Sequence, residues 1–261
     1  MDSNEKLAQF IVSLGGLNEY KSSVAQTKKA LEVESTQPLI QNNNDAAIFQ
    51  DAVKGINAIK QVGFSVDGII AVNKQFDTPN EEQPTLPGHL RNAYYNEDDR
   101  IAVVTTTGSN QGYFPSEIIT RQDLQDIVSE FENSDQSEKD AWRLFAKLSK
   151  LQPFQDGNKR TALIAANAAM GRLESQEYLF IPINAIDKLN FTAALMSFYV
   201  ASSSEEEEKF LSRMLEVVPS AREVAHFVHQ TENPTKDIKN IKTYKIKTEI
   251  REKNKNNTNQ L

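Results

Sequence analysis

The chain has 261 residues, of which 39% are hydrophobic and 25% charged, with a net charge of −7. That length holds one large domain, or one domain with appendages, and the apolar share supports a real core. Cysteine is absent, which excludes a disulfide framework, a thiol nucleophile and a cysteine-ligated metal site. The acidic balance argues against nucleic-acid binding by the body of the chain. The opening Met1-Asp-Ser-Asn-Glu-Lys6 lacks the positive start of a signal peptide. The apolar runs fall far short of the roughly 18 residues a spanning helix needs. The chain therefore reads as cytoplasmic, with no membrane partner.

Residues 5–35 read as helix in one or two pieces, with Leu7, Phe10, Ile11 and Leu14 on an apolar face and Gly15-Gly16 as the interruption. Pro38 and Asn42-Asn-Asn-Asp45 form a loop. Helix resumes from Ala46, with Asp45 as its N-cap and Ile48, Phe49, Ala52, Val53, Ile56 and Ile59 at a 3.6-residue period. The stretch Gly63-Phe-Ser-Val-Asp-Gly-Ile-Ile-Ala-Val-Asn73 follows, and Thr78–Gly88 is a turn-rich linker carrying three prolines. His89 has no partner at metal-ligand spacing. Arg91 fits a surface position as well as any other. Ile101-Ala-Val-Val-Thr105 reads as a short strand and Gly108–Gly112 as the turn after it. Phe114 is assigned to the core. Residues 119–133 form a helix capped by Thr120, with Asp123 completing a partial capping box. Residues 134–140 are a polar turn offering Ser137 or Asp135 as the next cap.

The helix that follows carries Trp142, Phe145, Leu148 and Leu151 at intervals of three and is stopped by Pro153. Pro153-Phe-Gln-Asp-Gly-Asn-Lys-Arg160 is a tight loop. A second helix then presents Ala162, Leu163, Ala165, Ala166, Ala169, Met170 and Leu173, whose small side chains let neighbouring helices approach closely. Unpaired amides in the first turn of a helix favour an anion. Lys159 and Arg160 oppose the helix dipole there. An anion site and a solvated Lys-Arg pair both fit this pattern.

Toward the C-terminus, Leu179-Phe-Ile-Pro-Ile183 is apolar and non-helical. Asn184 or Asp187 starts a helix with Phe191, Ala194, Leu195 and Phe198 inward. Ser204 and the acids after it start another, whose apolar stripe is Phe210, Leu211, Met214, Leu215 and Val218. Four consecutive acids fan around a helix, so this run is not a metal site. Ser220–His229 reads as a last short helix. Residues 236–261 form a basic, flexible tail with eight Lys or Arg against three acids, and a short strand fits around 241–250. The tail is either solvated or faces nucleic acid, an acidic partner or the acidic body of its own chain.

The loop resembles the signature of the Fic/death-on-curing (Fido) family, His-x-Phe-x-Asp/Glu-Gly-Asn-Gly/Lys-Arg. Here the segment reads Gln152-Pro-Phe-Gln-Asp-Gly-Asn-Lys-Arg160, and Phe154, Asp156, Gly157, Asn158 and Arg160 match at full spacing. The resemblance implies an all-α, Fic-like helical bundle with a small β-hairpin flap. Its limits would be an N-terminal helical extension over 1–45, a Fic-like domain over 46–230 and the tail over 236–261. It implies ATP and Mg2+ as cofactors, with Asp156 holding magnesium through phosphates. Gly157, Asn158, Lys159 and Arg160 would complete the nucleotide and phosphate site. It further implies a flap, comprising Ile101, Val103, Tyr113 and Phe114, that docks a target protein by strand addition. Gly88-His-Leu-Arg91 fits the family's Gly-x-x-Arg.

Three departures qualify that picture. The family's base is a histidine where this chain has Gln152, and a glutamine amide takes up no proton near neutral pH. Loss of a general base costs about 10²–10⁴-fold in rate. Leu163 stands where many AMP-transferring members have another arginine, and Lys159-Arg-Thr-Ala-Leu163 looks more like the death-on-curing branch, which transfers phosphate. Asp67-Gly68 resembles the end of the family's inhibitory motif, but the acid is one methylene short and Gly63 replaces Ser or Thr. Asp67 is therefore read either as an inhibitory partner of the loop or, with Ser65, as a turn residue. Two classes of function result. One is a nucleotide-binding protein with weakened or absent transfer of AMP, or of phosphate in the death-on-curing manner, to a protein hydroxyl. The other is a non-catalytic interaction or toxin–antitoxin module that binds an antitoxin, a regulatory partner or a second copy of itself.

Overall fold

The computed structural model describes residues 3–79, 84–105, 112–220 and 223. The expected helix at 220–229, the strand near 241–250, the tail and most of the Gly108–Gly112 turn lie outside the described residues. The fold is an all-α bundle with one small antiparallel hairpin. In chain order the helices are α1 (Ser3–Gly15), α2 (Val24–Glu32), α3 (Asn43–Val62) and α4 (Val66–Asn73), then α5 (Arg121–Glu132), α6 (Glu138–Leu151) and α7 (Asn158–Ala169). The four-residue α8 (Arg172–Ser175), α9 (Ala185–Val200) and α10 (Ser204–Leu215) complete the set. The hairpin strands β1 (Val103–Val104) and β2 (Gly112–Tyr113) sit between α4 and α5. No described helix is long and apolar enough to cross a membrane.

The bundle is built around α7. Its residues 162–166, Ala-Leu-Ile-Ala-Ala, are completely buried, and α6, α4, α3, α1 and α8 all pack on it. A helix enclosed from so many directions must be small or apolar around its circumference, which this alanine-rich sequence provides. On the far side of α6, Trp142 meets Phe145 and Phe191 edge-on, both at 5.6 Å between ring centroids, and so joins α6 to α9. The apolar segment before α9 joins no sheet. Instead Asn167 of α7 accepts from the Leu179 amide at 2.7 Å, and Ser13 of α1 accepts from that of Ile181 at 2.7 Å. These side chains satisfy backbone groups that burial would otherwise leave costly.

Local chemistry starts most helices where the sequence suggests. Thr120 with Asp123 and Ser137 with Asp140 form full capping boxes at α5 and α6, and Asn184 caps α9. Two caps differ. Helix α10 begins one residue early, on Ser203. Helix α3 begins on Asn42, not Asp45. Asp45 lies inside the first turn, buried, and its carboxylate accepts from the Lys21 amide, from the Ser22 amide at 2.6 Å and from the Ser22 hydroxyl. That acid ties the α1–α2 connection to α3, a tertiary task that overrides its capping propensity.

Candidate functional site

The α6–α7 loop is drawn tight by its own side chains. Helix α6 ends at Gln152, whose backbone is left-handed (φ 51°, ψ 58°), and the following proline disfavours the helical alternative. The buried Gln152 amide donates to the Ser149 carbonyl at 2.6 Å and to the Tyr199 hydroxyl at 3.4 Å, and accepts from Asn158 Nδ2 at 3.0 Å. Asn158 closes a ring with Phe154, accepting from its amide and donating to its carbonyl, both at 2.8 Å. Burial pushes the Tyr199 phenol up, against the hydrogen bond from Gln152, so this neighbour stays a neutral hydroxyl.

Gly157 makes the turn possible. Its φ is +76°, and a Cβ there would stand 2.4 Å from a ring carbon of Phe76. Beside it, Asp156 accepts from the Gly157 amide at 2.6 Å through Oδ1, and its carbonyl accepts from Asn73 Nδ2 at 2.9 Å. The Asp156 carboxylate remains partly exposed, with Oδ2 3.8 Å from the Arg160 guanidinium. Arg160 itself is only 2% exposed and lies over the Phe76 ring, 4.7 Å from its centroid. Lys159, the other cation of the pair, is half-buried.

Beneath Arg160 lies Asp51 of α3, fully buried, with the Thr78 hydroxyl donating to its Oδ1 at 2.7 Å. Burial pushes this carboxyl up to about 6, against the lowering effects of Thr78, the Arg160 charge and Lys54. A second buried acid, Asp99, behaves in the opposite way. Burial again acts to raise it, but donors from the Asn92 amide (2.6 Å), Gln155 (2.8 Å) and His89 (2.9 Å) outweigh that and hold it below the usual carboxylate range.

Arg91, completely buried, fastens the loop to the rest of the site. Its side chain donates to three carbonyls: Gln152 at 2.6 Å, Asp99 at 2.8 Å and Ser116 at 2.9 Å. Its own amide donates to Pro153 at 3.0 Å. Burial lowers its pKa, against the opposing charges of Asp99 and Tyr113. Asn73 is a similar hub, accepting from the Gly88 amide at 2.9 Å while it donates to the loop.

The hairpin pairs Val103 with Tyr113 and Val104 with Gly112. Tyr113 is half-buried, 5.4 Å from the Tyr199 ring, which links the hairpin to the Gln152 end of the loop. Val104 and Phe114 face solvent, at 73% and 74% exposure. Phe114 thus does not join the core, and Ile101, half-buried, precedes the strand. The structure brings Gln152 together with Asp156–Arg160 and the hairpin, but not Asp67. That exposed carboxylate, in the first turn of α4, accepts from Arg121 at 2.7 Å, while Ser65 caps the helix. Asn73, Asp51 and Asp99 belong to the site and carry no local motif. Arg91 was signalled by its Gly-x-x-Arg setting. Among the described residues no group of three His, Cys, Asp or Glu could hold a metal ion.

A helical bundle with this loop and a hairpin beside it has the architecture of the Fic fold. Residues 64–170, from the start of α4 to the end of α7, match the model of the Fic/DOC family. The fold is similar to a Fic domain-containing signaling protein from Bacteroides thetaiotaomicron, at a TM-score of 0.58 and 18% identity over 87% of this chain and 84% of that one. It is also similar to a Fic-1 fragment (residues 134–508) from C. elegans, at 0.55 and 17% identity over 90% of this chain and 66% of the fragment. A variant of that fragment matches equally, at 0.55 and 16%, with 65% of its length spanned. None of the curated proteins matches the chain.

Proposed function

We infer that this chain is a Fic-like nucleotide-binding protein in which Asp156–Arg160 holds the phosphates of ATP. In this reading AMP transfer to a protein hydroxyl is slowed or lost because Gln152 stands at the base position. The observation that carries the reading is the start of α7. Helices α2 to α6, α9 and α10 all begin on a side-chain cap, whereas α7 begins on Gly157 with none, as does the four-residue α8 on Gly171. Its first turn contains no acid and two cations. Cations and first-turn amides at one helix start favour added negative charge, and phosphate is a chemical group that supplies it. Lys159 and the first amides of α7 would take phosphate oxygens, and Arg160, backed by Phe76, Asp51 and Asp156, would hold the loop in shape. Magnesium fits Asp156, whose carboxylate is partly exposed. That ion commonly takes one or two carboxylates, phosphate oxygens and waters, so no cluster of acids is required. When bound it would neutralise phosphate charge.

A target hydroxyl brought by the hairpin would form a bond to the α-phosphorus and release pyrophosphate. Its proton would have to leave to water or with the pyrophosphate, because Gln152 is a hydrogen-bond acceptor already engaged with Asn158 and unable to take it, which slows the step. The death-on-curing alternative, transfer of the terminal phosphate, is favoured by Leu163, a buried core residue where many AMP-transferring members of the resembled family carry an arginine.

Calorimetry with ATP and magnesium tests the site, and ATP labelled on the α- or the γ-phosphate tests the transfer. The expected results are magnesium-dependent binding, weakened about tenfold by Lys159→Ala, and label transfer that rises by about 10²–10⁴-fold in Gln152→His. Label from the α position identifies AMP transfer, and from the γ position phosphate transfer. Absence of any saturable nucleotide binding would overturn the reading.

A further inference from the structure

Helix α9 is apolar on two faces. Its inner face, Phe191, Leu195 and Phe198, is buried against α6. Its outer face carries Ile186, Leu189, Ala193, Met196 and Val200, spaced 3-4-3-4. Ile186 and Leu189 are among the most exposed large hydrophobic residues described, and Ala193 and Val200 are also exposed. A helix with apolar stripes on two faces has one more than its own core covers, and 3-4 spacing is the seam by which one helix packs on another.

We propose that this outer stripe is a self-association surface on which two copies of the chain pair their α9 helices antiparallel about a twofold axis near Ala193. The stripe is complementary to itself in that register. Ala193 lies midway, so Ile186 of one copy meets Val200 of the other and Leu189 meets Met196. The small central side chain lets the helices approach closely. The charge pattern also selects a second copy. Each chain carries −7, so two copies meet with least repulsion at a neutral face. The stripe is flanked by uncharged Asn190 and Ser197, and the groove it shares with α10 is bordered by one cation, Arg213, and one anion, Glu216. Across a twofold axis each of these faces its opposite. Helix α9 is about 24 Å long at 1.5 Å per residue, so the contact is at the small end of specific interfaces. The dissociation constant is expected on the order of micromolar or weaker.

The absence of cysteine makes the test clean. Sedimentation of the full chain over a range of concentrations is expected to show a reversible dimer. Leu189→Asp, at an exposed position, should weaken it about tenfold or more while leaving the melting temperature and circular dichroism unchanged. Ala193→Cys should give a disulfide-linked dimer on mild oxidation, whereas Gln125→Cys on α5 should not. A monomer at every concentration overturns the proposal. So does a dimer indifferent to Leu189→Asp with no cross-link from Ala193→Cys, which would place the contact elsewhere. A monomer whose melting temperature falls with Leu189→Asp also overturns it, because the stripe would then be covered by the chain's own residues beyond 220.

Discussion

In the loop of residues 152–160, Gln152, Gln155, Asp156 and Asn158 all bond to the loop itself or to the residues beneath it. The adjacent hairpin is held by two residue pairs, with Val103 and Tyr113 half-buried and Val104 and the neighbouring Phe114 facing water. The loop is over-determined and the hairpin is open, yet they touch through Tyr113 and Tyr199. Under the proposed function the contrast suits each to different work. A site that grips small, highly charged phosphates needs positions held to within a few tenths of an ångström. A surface that adds a strand from another protein needs free backbone edges and exposed apolar side chains.

The sharpest way to break the contrast is to loosen the loop until it resembles the hairpin. Arg91→Ala would strand three carbonyls, those of Asp99, Ser116 and Gln152, in a site where Arg91 is completely buried. Each unpaired buried group costs about 1–3 kcal/mol, and a cavity adds to that. The expected destabilisation is about 4 kcal/mol or more in a urea titration, with loss of nucleotide binding. Arg91→Lys should rescue little, because an ammonium cannot reproduce the planar fork that reaches three acceptors. Full stability in both variants would mean that the loop does not depend on this hub.

A smaller effect is expected from the acid under Arg160. In the folded chain the Asp51 carboxyl is held at about 6, above roughly 3.9 for an unfolded aspartate. Between those values the native state binds the extra proton, so this group makes stability fall as pH rises from about 4 to about 6, and the full cost persists above. Asp51→Asn keeps an acceptor for the Thr78 hydroxyl and removes that cost. The variant is expected to be more stable than the parent by about 1–2 kcal/mol at pH 8, with the gain shrinking toward pH 4. Asp99 supplies the internal contrast. Its pKa is depressed, so its contribution is present at neutral pH and is lost on acidification through its folded value. A gain that does not vary with pH would show that Asp51 does not titrate in the folded chain.

Asp51 and Asp99, and the long-range bonds of Arg91, also mark where the sequence stops being readable. The cap pairs of α5 and α6 and the small-residue face of α7 are local patterns, and local geometry decides them. The tight turn at Gly157 was likewise legible from the local sequence, whereas the grouping of Asp156–Arg160 came from the resemblance to a family's loop and not from the pattern alone. Asn73 reaches a loop carbonyl 83 positions away, and Arg91 reaches one 61 positions away. Nothing in the neighbourhood of Asp51 or Asp99 distinguishes them from surface acids. Asp45 illustrates the limit in the other direction. It has the chemistry of a cap, but Asn42 takes that position and the acid is drawn to Lys21 and Ser22 by the packing of α1 and α2. Phe114 was misplaced for a related reason. An aromatic residue before a buried proline has core composition, and only the orientation of the hairpin turns it outward.

Phe114 therefore gives the smallest expected effect on the folded chain and the clearest separation of the two regions. At 74% exposure its ring loses little packing on truncation, and surface changes of this kind stay within about 0.5 kcal/mol. Phe114→Ala should leave the melting temperature within about 2 °C of the parent and leave the affinity for ATP and magnesium unchanged. The hairpin is where a partner would lose an apolar anchor, so capture of a target protein should fall while the phosphate site is intact. Calorimetry on the purified variant measures the first two quantities directly. A loss above about 2 kcal/mol would mean that the ring is packed in solution. A change in nucleotide affinity would mean that the Tyr113–Tyr199 contact transmits the state of the hairpin to Gln152. In either case the two regions would have to be treated as one mechanical unit, and the hairpin could not vary independently of the α6–α7 loop.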